Sequence, residues 1–435
     1  MKRSALALLG TAVVASLTLA GCSSGGGSSD DATADGPVTL TLAGWSLSTT
    51  PEFKTLADGF HKVDPNVTVE LKEYDATNYD TQMTADLSAG KAPDIYVQKN
   101  LKNFYTYQSG NQLLDVSDVA AKLDKDATGG LSDYEVDGKT YAVPYRQDSW
   151  VLFYNKDLFK KAGVAVPDGS WTWDDYDAAA KKLTTNLAAK DSKALGTYQH
   201  TWQSTVQGFA LAQSPDASIL DNDFAYLKPY YERSLDLQKA GAQVSLGDAT
   251  SNSLTYQAEF GKQQAAMMPM GTWYIATLLS QQGTGDADTF DWGIAPAPQY
   301  DASTTGTDQT PVTFGDPTGL GINPKIDKKK IAAAKEFLAY AAGVDGAKSL
   351  ASIGITPANT SAVADTFFQL KGMPTDDLSK FAFSTHDTKP ENPVSSKTAT
   401  VQNILNDLHT AVLSNSTSID KAISDAESRA KNEAP

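Results

Sequence analysis

Between Val38 and Val97 the apolar residues change period four times, and this restricts the possible fold more than any other feature of the chain. Val38, Leu40 and Leu42 alternate with Thr39 and Thr41, the period of a half-buried strand. Phe53, Leu56, Ala57, Phe60 and Val63 then recur at helical spacing, behind Thr50-Pro51, a good N-cap and first-turn pair. Asp64-Pro65-Asn66 stops that helix, and Val67, Val69 and Leu71 alternate again. Tyr79, Met83 and Leu87 mark one face of a helix over about 78–88, which Gly90 and Pro93 break before a short strand at Ile95–Val97. The order β-α-β-α-β at this pitch predicts a doubly wound parallel sheet with right-handed crossovers. In such sheets ligands bind beyond the carboxyl ends of the strands, which puts Trp45, Gln98 and Asn100 on the binding rim.

A second unit begins near Tyr141. Trp150–Tyr154 is an apolar strand, and Asn155 is placed to cap a helix ending at Gly163. Thr172-Trp173-Asp174-Asp175 resembles a capping box with Asp for the usual Glu, opening a helix through Leu183. Ala265–Met270 is an apolar run closed by Gly271, Trp292–Pro298 reads as extended, and 331–342 and 401–412 read as amphipathic helices. With 435 residues the chain is too long for one ordinary domain and long enough for two real cores. The predicted architecture is therefore two α/β lobes with a cleft between them as the natural site.

The N-terminus reads as an address. A basic start (Lys2, Arg3), an apolar stretch from Ala5 to Ala20 and a small-residue end make a secretory signal, short of the roughly 20 apolar residues that span a bilayer. The lone cysteine, Cys22, follows Leu19-Ala20-Gly21, which resembles the lipobox of bacterial lipoproteins; that resemblance implies lipidation at Cys22 and anchorage on the outer face of the cell membrane. Residues 22–36 are rich in Ser, Gly, Asp and Ala and read as a flexible tether. A net charge of −16 argues against nucleic acid or an anionic membrane surface as the main partner.

Five stretches then fall in one order. They are Leu87–Asp94 (LSAGKAPD), Asp137–Tyr145 (DGKTYAVPY), and Leu152–Phe159 (LFYNKDLF) running on to Thr172-Trp173. Gly261-Lys262 through Ala266-Met267 to Gly271-Thr272-Trp273 follows, then Gly319–Ile322 leading into Ala334–Leu338. As an ordered set they resemble the extracellular solute-binding proteins of ABC importers, in the group that includes maltose-binding and multiple-sugar-binding proteins. The resemblance implies a periplasmic-binding-protein-like fold, each lobe a sheet flanked by helices, joined by about three crossings and closing on ligand by hinge motion. Lobe I would comprise 37–147 plus 298–342 and lobe II 148–297 plus 343–435, with crossings near Gln147/Asp148, near 295–298 and after Ala342. The implied partners are a carbohydrate, an oligosaccharide by preference, and the transmembrane permease subunits. A monomer is expected, with no cofactor and no metal.

A sugar offers apolar C–H faces and many hydroxyls, so its site needs aromatic plates and side chains that both donate and accept hydrogen bonds. Trp273 stands where the family places such a plate, against the alternative of a core tryptophan. Asp148 stands where maltose-binding relatives carry a ligand-binding acid, or is a hinge carboxylate. Its neighbour Arg146 either binds ligand or pairs with an acid. Trp45, Gln98 and Asn100 follow from the rim argument; His200 and Trp202 lie where the family inserts variable contacts; Asp316 either takes sugar hydroxyls or caps a turn. Trp150, Trp171, Trp173 and Trp292 are assigned to structure.

Other function classes leave the residues less well explained. A glycan-active enzyme needs two opposed carboxylates, and among 52 acids nothing marks out a pair. There is no Gly-x-Ser-x-Gly elbow, His-Glu-x-x-His motif or phosphate loop, and four dispersed histidines support no metal centre. The same fold binding a polyamine, a metal or a phosphorylated polyol would be distinguished by which side chains line the cleft.

Overall fold

The computed structural model describes residues 36–48, 50–360 and 363–435. Cys22, the signal segment and all but the last residue of the tether lie outside the described residues. Strands that matter for the site are β1 (Val38–Trp45), β2 (Val67–Tyr74), β3 (Ile95–Gln98), β4 (Val143–Gln147), β5 (Trp150–Asn155), β6 (Leu195–Thr197), β7 (Ala265–Gly271), β8 (Trp292–Ala295) and β9 (Pro317–Ile322).

They form two sheets. The first has the order β2-β1-β3-β9-β4, in which β1, β2 and β3 run parallel and β9 lies antiparallel to both β3 and β4. The doubly wound expectation holds for its first three strands. The second has the order β8-β5-β7-β6, with β5 antiparallel to β7 and β8, and β6 parallel to β7. Each sheet is flanked by helices and lies in its own apolar core, one built around Leu40, Phe53, Ile95 and Phe337, the other around Phe153, Phe209, Met267 and Leu405.

Local sequence explains most of the elements. Asn155 caps the helix Lys156–Ala162 by accepting from the Leu158 amide, and Gly163 ends it in the left-handed conformation at φ 65°. The Thr172–Asp175 capping box forms in full and opens a helix that runs to Ala188, five residues past Leu183. The first helix, Glu52–Val63, starts differently from expectation. Pro51 occupies the N-cap position without a side-chain cap, and the Thr50 amide turns back to the Ser46 carbonyl at 2.8 Å.

Three stretches of chain pass between the cores side by side. The first is Gln147–Ser149. The second is Gly315–Asp316, some twenty residues beyond the expected 295–298, because Phe314 stacks on Trp150 at 4.9 Å in the second core and Val312–Phe314 pairs with Asp387–Lys389. The third is Thr356–Ala358, a helix beyond Ala342, because Leu350 and Ile355 belong to the first core. The crossings touch: the Gln147 amide donates to the Thr356 carbonyl at 3.2 Å, and a Cβ on Gly315 would lie 2.1 Å from the Asp148 carbonyl oxygen. Only glycine allows the first two crossings to run this close.

Candidate functional site

Strand direction decides which sheet edges meet. β4 ends at Gln147 and β5 begins at Trp150, so the carboxyl edge of the first sheet faces the edge of the second at which β5 starts. Antiparallel β7 ends at that same edge, with Gly271 opposite Trp150, and parallel β6 ends there too. The segments after β1, β3, β4, β6 and β7 therefore converge, and they hold most of the expected site residues.

On the second lobe these segments assemble an aromatic group. Trp273 opens the helix Trp273–Thr284, its ring edge-on to Trp150 at 5.4 Å. That ring lies back over Gly271, where a Cβ would fall 1.9 Å from Trp273 Cζ3. Trp202 stands 6.4 Å from Trp273 and 4.5 Å edge-on from His200, and remains 40% exposed. Tyr256 closes the group, 5.3 Å from His200 and 5.6 Å from Trp202. Nothing in the local pattern marks Tyr256, which lies just behind an ordinary helix cap at Thr255. Burial pushes its phenol up to about 12 and pushes the His200 imidazole down to about 4, so both stay neutral near pH 7.

The loop that carries His200 and Trp202 is fixed from beneath. His409 shares a hydrogen bond with the Thr201 carbonyl through Nε2 at 3.2 Å and with the Tyr231 hydroxyl through Nδ1 at 3.1 Å. A carbonyl only accepts, so Nε2 carries the proton and Nδ1 is the acceptor. Gln207 donates to the same Tyr231 hydroxyl at 2.7 Å.

Arg146 and Asp148 form the floor between the lobes, with every charge paired. The Arg146 guanidinium (8% exposed) meets Glu52 (0% exposed) at 2.5 Å through Nη1 and Asp148 (4% exposed) at 2.8 Å through Nε. Tyr145 donates to the other Glu52 oxygen at 3.1 Å, and Thr272 donates to the other Asp148 oxygen at 2.8 Å. Burial raises the Asp148 carboxyl above the usual range, while Arg146 and Thr272 pull it back. This triad ties the first helix to the first crossing and to the start of the Trp273 helix.

Asp316 is likewise occupied. It accepts from the Glu391 amide at 2.8 Å, the Asn392 amide at 3.2 Å, the Asn392 side-chain amide at 2.6 Å and the Leu101 amide at 3.2 Å. It thus binds the loop after β3 to a second-lobe segment. Nearby Glu391 is pushed up to about 8 by burial, with the Asp316 charge adding to the shift.

The rim residues of the first lobe divide. Trp45 is buried edge-on against Phe53 and Tyr79, both at 5.1 Å. Gln98 is 1% exposed; strand alternation sends it to the same covered face as Tyr96, not past the strand end. Asn100 is half-buried, and its oxygen accepts from the Lys102 amide at 3.1 Å. The polar groups at the rim are instead two lysines that sequence reasoning passed over. Lys99 donates to the Ala76 carbonyl at 2.6 Å with its ammonium 5.3 Å from the Trp45 ring, and Lys102 reaches across to Asn403 of the second lobe at 2.8 Å. Among the described residues no group of three or more His, Cys, Asp or Glu side chains converges to hold a metal ion, and no helix is long and apolar enough to cross a membrane.

Known proteins share this architecture. A sugar transporter of Rhizobium etli, solved in an open conformation, superposes with a TM-score of 0.74 at 32% identity, covering 91% of this chain and 99% of that one. The arabinooligosaccharide-binding protein of Bacillus subtilis is 26% identical over 369 residues, 81% of this chain and 79% of its own length. A binding protein of Brucella abortus is 25% identical over 283 residues, 62% of this chain and 66% of its own, so the chain matches just under two thirds of that relative's length. Residues 46–348 match the model of one family throughout, and the chain belongs to that family, the bacterial extracellular solute-binding proteins.

Proposed function

We propose that this protein is the carbohydrate receptor of an ABC importer, capturing an oligosaccharide between its lobes and handing it unchanged to the membrane permease. The observation that carries the reading is the aromatic group of Trp202, His200, Tyr256 and Trp273 at the edge where the two sheets meet. Its largest exposed member, Trp202, offers a flat face for a pyranose, and two neutral polar rings beside it supply hydroxyl partners. The charged floor favours a neutral ligand. Arg146 is spent on Glu52 and Asp148, and Lys99 and Lys102 are held by the Ala76 carbonyl and Asn403, so they offer little to a phosphate, and those acids offer little to a polyamine. The Rhizobium and Bacillus relatives, by their names a sugar transporter and an arabinooligosaccharide-binding protein, agree with this reading.

In this reading Trp273, Trp202, His200 and Tyr256 touch ligand, Arg146, Asp148 and Asp316 hold the frame, and the three crossings act as the hinge. The protein carries out no chemistry on the sugar, acts as a monomer and is tethered outside the cell by lipid on Cys22. Thermal unfolding against a panel of mono- and oligosaccharides, polyamines and metal salts tests it. A ligand at a hundred times its dissociation constant adds about 2.7 kcal/mol, a readable shift. A shift with one group of glycans, recovered intact afterwards, supports the proposal; shifts with polyamines or metals alone, or cleavage of the glycan, overturn it. Cys22→Ser should release the protein into the medium, and retention at the membrane would remove the anchor from the reading.

A further inference from the structure

The second lobe carries a concavity of about 550 Å³ that shares none of its lining residues with the site above. It lies between the segment Leu211–Ile219 and the segment Gln299–Thr304, with Val312, Lys389, Pro390 and Pro393 along one side. A volume of this size is that of small-molecule sites.

Tyr300 stands in this groove 52% exposed, and it is held still. Its ring stacks on Tyr230 at 6.1 Å and 22°, and the Arg233 guanidinium lies 5.3 Å from Tyr230. Tyr230 in turn donates to the Gln213 side-chain oxygen Oε1 at 3.0 Å, which also accepts from the Trp173 indole at 2.9 Å. The backbone beside Tyr300 is pinned as well, since the Gln299 amide donates to the Trp171 carbonyl at 3.1 Å and the Gln299 side chain accepts from the Val312 amide at 2.8 Å. A rigid aromatic ring left open to water gives up apolar burial without any return in folding, and it binds a flat partner at little entropic cost.

The chemistry around the ring narrows the partner. Asp216 and the Oδ2 of Asp301, whose Oδ1 caps a turn by accepting from the Ser303 amide at 2.7 Å, supply acceptors, Ser214 supplies a hydroxyl, and Lys389 is paired with Asp387 at 2.7 Å. With its cation paired and two carboxylates present, the groove disfavours an anion. With those carboxylates at hand it also disfavours a purely apolar ligand, whose arrival would desolvate them without compensation. A neutral polyhydroxylated ring satisfies both the plate and the acceptors. We propose that this groove is a second carbohydrate site, a shallow one in which Tyr300 takes the apolar face of a sugar ring and Asp216 and Asp301 take its hydroxyls. The proposal rests on the reading of the protein as a glycan receptor and adds a surface that meets glycans outside the lobes.

Calorimetric titration of maltotriose, raffinose and arabinotriose, carried into the millimolar range, tests it on the wild type and on Trp273→Ala, Tyr300→Ala and Tyr300→Phe. The expected result is two phases for a glycan that binds. The tight phase fails in Trp273→Ala, and the weak phase falls on the order of tenfold in Tyr300→Ala and survives in Tyr300→Phe, which keeps the plate. A weak phase absent from the wild type, or unchanged in Tyr300→Ala, overturns the second site and leaves the cleft standing. A weak phase without a tight one, or a tight phase untouched in Trp273→Ala, counts instead against the interlobe reading.

Discussion

Replacing Arg146 by Met removes the cation of a closed ionic group and keeps most of its volume. Glu52 is 0% exposed and Asp148 4% exposed, so water cannot take the place of the guanidinium without opening the crossing. Breaking a buried pair by removing one partner costs roughly 3–5 kcal/mol. Two carboxylates are stranded here, which points to the upper end, against a total stability of about 5–15 kcal/mol for a typical domain. The loss should also depend on pH. Burial already raises the Asp148 carboxyl, and Arg146 is the largest influence holding it down, so the variant raises it further. The native state of the variant then binds a proton that the unfolded chain has released, and its stability falls as pH rises above the unfolded carboxylate range. Urea unfolding of both proteins at pH 5 and pH 8 should show a gap that widens at pH 8. Glu52→Gln combined with Arg146→Met should recover part of the loss, because one stranded charge is gone. A gap under about 1 kcal/mol, equal at both pH values, would refute the closed triad.

Three further expectations follow from the site. Trp202→Ala should cost roughly 1–2 kcal/mol of stability, since the ring is only 40% exposed and packs on His200 and Tyr256, and should weaken glycan binding on the order of tenfold in calorimetry. His409 is pushed down to about 4 by burial, so the unfolded chain binds its proton first and stability should decline as pH falls from about 6.5 to about 4; His409→Asn should flatten that part of the curve in thermal melts. Asp316→Asn replaces one of two acceptor oxygens with a donor facing amide donors, and should cost roughly 2 kcal/mol in urea unfolding while loosening the loop after β3, read as faster amide exchange at Leu101.

Element positions were legible wherever the decisive residues are neighbours in sequence. The helix Ile331–Ala342 falls on its expected bounds, and Asn155, Gly163 and the Thr172 box act as caps as their chemistry predicts. The second and third crossings were not legible, because they depend on which core Phe314 and Leu350 join, and both cores welcome such residues. The site shows the same divide. Trp273 and Trp202 stand out as candidates by type and place, and the structure brings their rings to 6.4 Å. That Arg146 and Asp148 spend their charge on Glu52 and on each other, nearly a hundred residues apart in the first case, is a tertiary fact. Tyr256 and His409 enter for the same reason: each matters through rings and carbonyls distant in the chain.

The aromatic rings of the second lobe run without a break from Trp202 through Trp273, Trp150, Phe209, Trp173 and Tyr230 to Tyr300, with successive centroids 5.0–6.4 Å apart. At such separations excitation absorbed by one indole migrates readily to another. The emission of Trp150, Trp273 and Trp202, the three indoles in direct sequence, is therefore a shared property, and light absorbed at Trp150 can leave from Trp202 at the solvent end. A sugar settling on that one ring would dim or shift the emission of several tryptophans together, giving the receptor an optical signal of occupancy that needs no attached dye.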